Sequence, residues 1–133
     1  MKGFKTGIEK ETLNNSDFRR VLYTGKYSQL VLMTLKPGEE IGMETHGNVD
    51  QFFRFEEGEG KVTIDDNEYK VKDGDASIVP AGAKHNVVNT SKTKHLKLYT
   101  IYSPPEHQDK VVRHTKADAL AKPEEFEGRP LSE

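Results

Sequence analysis

Two histidines, His46 and His85, are the residues of this chain whose surroundings most suggest metal chemistry. Glu44 precedes the first of them by two residues, and Gln51 follows it by five. The chain contains no cysteine, so thiolate ligands and disulfides are excluded. A metal site would therefore use imidazole, carboxylate, amide or carbonyl groups.

Each histidine lies in a stretch bounded by turn residues at regular spacing. The first stretch contains Gly38, Glu44, His46, Gln51 and Gly58, and the second contains Gly74, Pro80, Gly82, His85 and Asn89. The pair resembles the two sequence motifs of the cupin superfamily. The second stretch matches its motif at every defined position. The first keeps both glycines and one histidine, but Glu44 replaces the other histidine and Gln51 replaces the glutamate.

The cupin resemblance implies that Glu44, His46, Gln51 and His85 surround one divalent metal ion, which would be Fe, Mn, Zn or Ni. Two imidazoles and one carboxylate survive the substitutions, and non-haem Fe(II) oxygenases use that combination. Gln51 either ligates through its carbonyl oxygen, as a weaker donor than a carboxylate, or hydrogen-bonds a metal-bound water. The alternative is a cupin whose polar pocket groups bond one another and hold no metal.

The elements that would position these residues are short β-strands. Alternating β-favouring runs separated by turn residues predict strands at 19–24, 29–35, 42–46, 50–56, 61–64, 68–71, 76–79, 85–89 and 96–102. Asp65, Asp66 and Asn67 form the clearest hairpin turn. The predicted fold is all-β, an antiparallel jelly-roll barrel, as the cupin resemblance also implies.

Alternation along a strand predicts which side chains face the barrel interior. Glu44 and His46 share one face. Gln51, Phe53 and Phe55 share the inner face of the next strand. Phe52 then points outward, where an aromatic side chain is more often part of an interface than solvated.

The chain changes character after Tyr102. Two prolines forbid a continuing central strand, and Thr115 followed by Asp118 predicts the start of a short helix that ends near Lys122. We therefore expect one cupin domain over residues 1–133, with the barrel at about 18–102 and a C-terminal segment at 103–133. The last ten residues, 124–133, are expected to be mobile.

The three remaining histidines lie outside both motifs. His95 is expected in a solvated loop. His107 either lines the pocket or lies in an exposed loop. His114 belongs with Arg113 and Lys116 to a small basic cluster that either receives an anion or is solvated. Tyr23, Tyr99 and Tyr102 are undecided candidates for a general base.

Composition excludes several functions. The net charge is −2, from 20 basic and 22 acidic residues spread along the chain, so nucleic acid is an unlikely partner. No apolar segment has membrane-spanning length, and the N-terminus lacks a signal peptide. We expect a soluble cytoplasmic protein. Uncovered strand edges and Phe52 predict a homodimer.

The resemblance is closest to small single-domain cupins described as similar to mannose-6-phosphate isomerase. It implies a metal-dependent enzyme, of isomerase or dioxygenase type, that acts on a small organic or sugar-like molecule. The competing hypothesis is a non-catalytic module that binds or senses a sugar or small acid. The fold alone does not choose between them.

Overall fold

A computed structural model describes residues 1–123 of the chain. Its elements, in chain order, are α1 (Ile8–Asn14), β1 (Arg19–Thr24), β2 (Gln29–Leu35), β3 (Glu44–Thr45), β4 (Asp50–Glu57), β5 (Glu59–Ile64), β6 (Asn67–Lys72), β7 (Ala76–Val79), β8 (Lys84–Asn89), β9 (Leu96–Ser103), β10 (Val112–Arg113) and α2 (Lys116–Ala121). The predicted tail at 124–133 lies outside the described residues.

The strands form two antiparallel sheets. One has six strands in the order β10-β1-β2-β9-β4-β7, and the other has four in the order β3-β8-β5-β6. Non-sequential neighbours such as β4 and β9 are typical of a jelly roll. The all-β jelly-roll prediction, with its short C-terminal helix, is confirmed. Three predicted strands, β1, β2 and β7, have the observed bounds.

The hydrophobic core comes from the inward positions of the strands. Phe53, Phe55, Val62, Val87 and Leu98 are fully buried. Burying one such side chain contributes roughly 1.5–3 kcal/mol, so these positions hold the two sheets together. The expectation that Phe53 and Phe55 face inward is confirmed.

Strand β2 is buried on both faces because α1 covers its outer side. Leu32 is fully buried there, and α1 packs against β2, β4 and β9. Lys97 Nζ donates to the carbonyls of Leu13 at 2.8 Å and Asn15 at 2.7 Å. A lysine at this point satisfies carbonyls that have no partner within a helix. No sequence pattern predicted α1.

Three local features differ from or refine the predictions. The strand expected at 42–46 is only Glu44–Thr45. Strand β10 lies beyond the predicted barrel limit of 102 and extends the six-stranded sheet. The hairpin at Asp65 is confirmed, with a φ of 50°, and the Thr115 side chain caps α2 by accepting from the Asp118 amide at 3.0 Å. No helix within residues 1–123 is long and apolar enough to cross a membrane.

Candidate functional site

Strand pairing brings the two predicted motifs to one place. Glu44 on β3 lies opposite His85 on β8 in the antiparallel register, so both side chains leave the same face of the sheet. His46 follows the end of β3, and its carbonyl accepts from the Gly82 amide at 2.8 Å. This bond ties the loop of the first motif to the turn of the second. Gln51 lies at the start of β4 and is 3% exposed.

His46 lies between two carboxylates. Its Nε2 is 3.2 Å from Glu44 Oε2, and its Nδ1 is 3.3 Å from Glu106 Oε1. The Glu106 carboxylate and then Glu44 raise the pKa of His46 to about 9, against the opposing effect of burial. At neutral pH the ring is therefore an imidazolium. His46 Nε2 is buried and lacks a well-directed hydrogen bond, so its contact with Glu44 is an ion pair.

The pKa of Glu44 also reflects opposing effects of burial and nearby charge. Burial, the largest influence, raises the pKa of this carboxyl, but the close contact with His46 and the positive charge of its ring lower the pKa. The charges of Arg19 and His85 act in the same direction. The net result is a pKa below the ordinary 4.5, so Glu44 is a carboxylate at neutral pH.

His85 and Gln51 form a second pair of candidate donors. His85 Nδ1 lies 3.1 Å from the Ala83 carbonyl, and its Nε2 lies 3.1 Å from Gln51 Oε1. Gln51 is oriented by the bond from its Nε2 to Thr100 Oγ1, at 3.0 Å. Both ring nitrogens therefore face oxygens that only accept, and a neutral ring can donate to one of them at a time.

The four predicted site residues are thus brought together as two pairs. The ring centroids of His46 and His85 are 5.3 Å apart, Glu44 adjoins the first ring, and Gln51 adjoins the second. Within residues 1–123, no three His, Cys, Asp or Glu side chains form a group that could hold a metal ion. Gln51 is not among those residue types, and Glu106 forms an ion pair with Nδ1 of His46. The metal assignment therefore stays a prediction.

Similarity to known proteins shows the family of this chain. The sequence pattern described as a cupin domain matches residues 31–102. The chain belongs to the cupin family. It is 48% identical over 126 residues to the uncharacterized protein YrkC of Bacillus subtilis, covering 90% of this chain and 67% of the relative.

Solved structures agree on the fold of this cupin. The crystal structure of BH2720 from Bacillus halodurans has a TM-score of 0.88 at 44% identity and covers 91% of this chain and 96% of its own. An RmlC-like cupin from Shewanella frigidimarina has a TM-score of 0.59 at 24% identity, covering 65% of this chain and 74% of its own. The second likeness shows the fold alone.

A C-terminal strap, residues 104–109, brings side chains to the cupin site that the motifs did not predict. The buried Gln29 accepts from the amides of Glu106 at 3.1 Å and His107 at 2.9 Å. Its Nε2 donates to the His107 carbonyl at 2.7 Å. These bonds hold Glu106 against His46. No local pattern in the sequence marks Glu106, because its position depends on a glutamine far upstream in the chain.

The strap also reaches Tyr102 on β9. His107 Nε2 lies 3.1 Å from the Tyr102 hydroxyl, and His107 is only 7% exposed, so the reading of His107 as an exposed loop residue is wrong. Burial raises the pKa of Tyr102, while Arg19 and a hydrogen bond with Gln51 act against the rise. The hydroxyl therefore keeps its proton.

The other candidates lie away from the site. His95 is exposed, as predicted. Tyr23 stacks on Phe4 with ring centroids 5.2 Å apart, and Tyr99 contacts Phe52 at 6.1 Å. Of the three tyrosines, Tyr102 alone adjoins His46, with ring centroids 6.0 Å apart. Tyr102 is accordingly the tyrosine to consider in any chemistry at this site.

Proposed function

We propose that this cupin is a metal-dependent enzyme acting on a small organic molecule, with a divalent ion bound by Glu44, His46 and His85. Gln51 would complete the set through its amide oxygen or hydrogen-bond a water on the ion. The observation that carries the proposal is the approach of the two imidazole rings, whose centroids are 5.3 Å apart, each with an oxygen beside its Nε2 atom: Glu44 Oε2 at 3.2 Å from His46 and Gln51 Oε1 at 3.1 Å from His85.

The donor atoms support a cation on chemical grounds. When the neutral His85 ring carries its proton on Nδ1, its Nε2 lone pair and Gln51 Oε1 are two acceptors at 3.1 Å, an arrangement that a shared cation would stabilise. His46 Nε2 is buried without a well-directed hydrogen bond. The Nδ1 atoms of both rings face oxygen acceptors, Ala83 O and Glu106 Oε1. Metal-binding histidines usually donate their other ring N–H to such an acceptor, which leaves Nε2 for the ion.

The proposed ligand set, two histidines and one carboxylate, indicates the type of reaction. A bound divalent ion would supply a Lewis acid or an oxygen-binding centre with open positions, which suits either an isomerase or a dioxygenase. Glu44 contributes a negative charge at neutral pH. Tyr102 adjoins His46, with ring centroids 6.0 Å apart, and the strap places the Glu106 carboxylate at the Nδ1 side of His46.

Metal content of matched variants tests the proposal. We expect purified protein reconstituted with Fe(II), Mn, Ni or Zn to hold one ion per chain, and His46→Ala and His85→Ala each to lose it. His95→Ala changes an exposed histidine of the same chain and should keep the ion. Circular dichroism verifies that each variant retains its β structure. Undiminished metal in both site variants would refute the proposal.

A further inference from the structure

The outer face of the six-stranded sheet carries one continuous row of apolar side chains. Residues opposite one another on neighbouring strands form this outer row, which runs from β1 to β7 through Tyr23, Leu30, Ile101, Phe52 and Ile78. Four of them are half-buried, and Ile78 is 66% exposed. With strands about 4.8 Å apart, the outer row spans roughly 20 Å of surface.

The other sheet of the barrel presents charged and polar side chains on its outer face at β5 and β6. There the buried Val62 and Val71 face the core. The outward positions beside them hold Lys61, Thr63 and Lys70. Water solvates such a face, whereas a contiguous apolar surface marks contact with another molecule. The difference between the two faces of one barrel indicates that the outer row is an interaction surface.

Helix α1 covers the sheet on one side of the outer row and leaves the other side open. Leu32, the outward residue of β2 that follows Leu30, is fully buried beneath α1. A helix with its side chains is about 10 Å thick, and two sheets that stack face to face lie about 10 Å apart. A second sheet can therefore lie on the outer row with α1 filling the space beside it.

The charges on the two sides of the outer row have opposite signs. On β4, Asp50, Phe52 and Arg54 share the outer face, because alternate residues of a strand point the same way. Asp50 is exposed, and the Arg54 side chain is 40% exposed. Asp50 Oδ1 accepts from the Ala81 amide at 2.8 Å, and Arg54 Nε donates to Glu56 at 3.0 Å. These bonds orient both side chains while each remains accessible.

This arrangement of charges matches a second copy of the chain. A two-fold axis that runs along the outer row exchanges its two sides. Arg54 of each copy then lies over Asp50 of the other copy, on both sides of the row. The same axis places each α1 over the open side of the other copy, whereas a two-fold axis along the strands would set α1 against α1.

We propose that a second copy of this chain docks on the outer row, sheet against sheet, about a two-fold axis along the row. The inference is independent of the proposed metal, and it gives the homodimer expected from Phe52 a defined surface and symmetry. A two-fold interface uses the same patch of both copies, so each outer-row residue occurs in it twice. The apolar row forms the centre, and the pairs between Arg54 and Asp50 lie at the rim.

Sedimentation velocity of the full chain, over a series of micromolar concentrations, measures the dissociation constant of the dimer. Ile78→Lys should raise this constant at least tenfold, because each dimer loses two buried apolar side chains. Tyr69→Lys is the matched control, since Tyr69 is a 50% exposed side chain of the other sheet, and it should leave the constant unchanged. A native chain that stays monomeric at every concentration would mean that a different molecule covers the outer row, and would overturn the inference.

Leu30→Lys separates docking on the sheet face from pairing along the sheet edge. Ile78 belongs to the edge strand β7, whereas Leu30 belongs to β2, inside the sheet. A face-to-face dimer should be weakened by both variants, but pairing along the free edge of β7 would tolerate Leu30→Lys. Circular dichroism verifies the fold, and the uncharged Leu30→Gln replaces Leu30→Lys if that variant does not fold. Unchanged affinity in the Leu30 variant would overturn docking on the face.

A double-mutant cycle tests the two-fold axis. Asp50→Lys should weaken the dimer about tenfold, because it sets two positive charges together at two places in each dimer. In a chain that also carries Arg54→Gln, which can still donate to Glu56, Asp50→Lys should weaken it by no more than about twofold. Arg20→Gln changes another exposed arginine and should preserve the tenfold effect. An equal effect of Asp50→Lys with and without Arg54→Gln would overturn the proposed axis.

Discussion

Metal uptake by this cupin should depend steeply on pH because a proton competes for His46. The ring has a pKa of about 9 in the metal-free protein, so at pH 7 only about one molecule in a hundred carries the neutral ring. A histidine must be neutral to bind an ion. The apparent association constant should therefore rise about tenfold per pH unit from pH 7 to 9 and then level off. Glu44 is ionised throughout this range and adds no slope.

Competition with a chelator between pH 6.5 and 10 measures how the apparent affinity for Zn²⁺ depends on pH. The Zn²⁺ concentration is kept below that at which zinc hydroxide precipitates, and the affinities are corrected for protonation of the chelator. Glu106→Gln removes the largest cause of the raised pKa. The plateau of this variant should begin at a lower pH, and its height should fall about tenfold to a hundredfold because His46 loses its orienting carboxylate. Glu59→Gln, at an exposed position, is the control and should match the unchanged protein.

Two results would refute this reasoning. A flat apparent affinity between pH 7 and 9, in protein that binds one ion, would mean that His46 is already neutral at pH 7. A Glu106→Gln profile that overlays the native profile would mean that the strap carboxylate does not act on this histidine.

Three further predictions concern stability, donor strength and assembly. In the folded, metal-free protein the pKa of His46 is about 9, above the ordinary 6.5. The charged ring therefore adds about 3 kcal/mol to the free energy of unfolding. This contribution is complete below pH 6.5 and is lost as the pH rises through 9. Urea unfolding at pH 6, 8 and 10 should follow this loss, and His46→Ala should flatten it. Gln51→Glu should tighten metal binding by adding a charge, and equal or weaker retention against graded chelators would argue that Gln51 does not point at the ion. The chain should be a homodimer that Phe52→Lys disturbs; light scattering during gel filtration reports the mass, and a native monomer at micromolar concentration would exclude the dimer.

The strands were predictable because their side chains alternate with a period of two. β1, β2 and β7 have the predicted bounds, and the hairpin at Asp65 follows from its turn chemistry. β3 is shorter than predicted at both ends. The Gly42 amide donates to the Asn86 side chain, and the His46 carbonyl accepts from the Gly82 amide. No local sequence pattern predicted these two hydrogen bonds.

Helix α1 was not predicted because contacts with distant parts of the chain stabilise it. Gly7 at its N-terminus supplies no capping side chain, and only seven residues are helical, too few for a helix to be stable alone. Packing on the outer sheet face and the two bonds from Lys97 stabilise it. A sequence pattern cannot register contacts of this kind.

Motif spacing predicted which four side chains come close together, but not the further side chains that contact them. Glu106 reaches His46 only because Gln29 anchors the strap, a contact between distant parts of the chain. Arg19 was within reach of sequence reasoning, since the alternation of its predicted strand sets it on the same face as Val21.

The most direct test of the central claim is anomalous scattering from crystals of the reconstituted protein, collected on both sides of the absorption edge of the added metal. The account predicts a single anomalous peak at roughly 2.0–2.2 Å from the Nε2 atoms of His46 and His85 and from a Glu44 oxygen. A crystal containing one ion per chain, with its peak elsewhere in the molecule, would contradict the account.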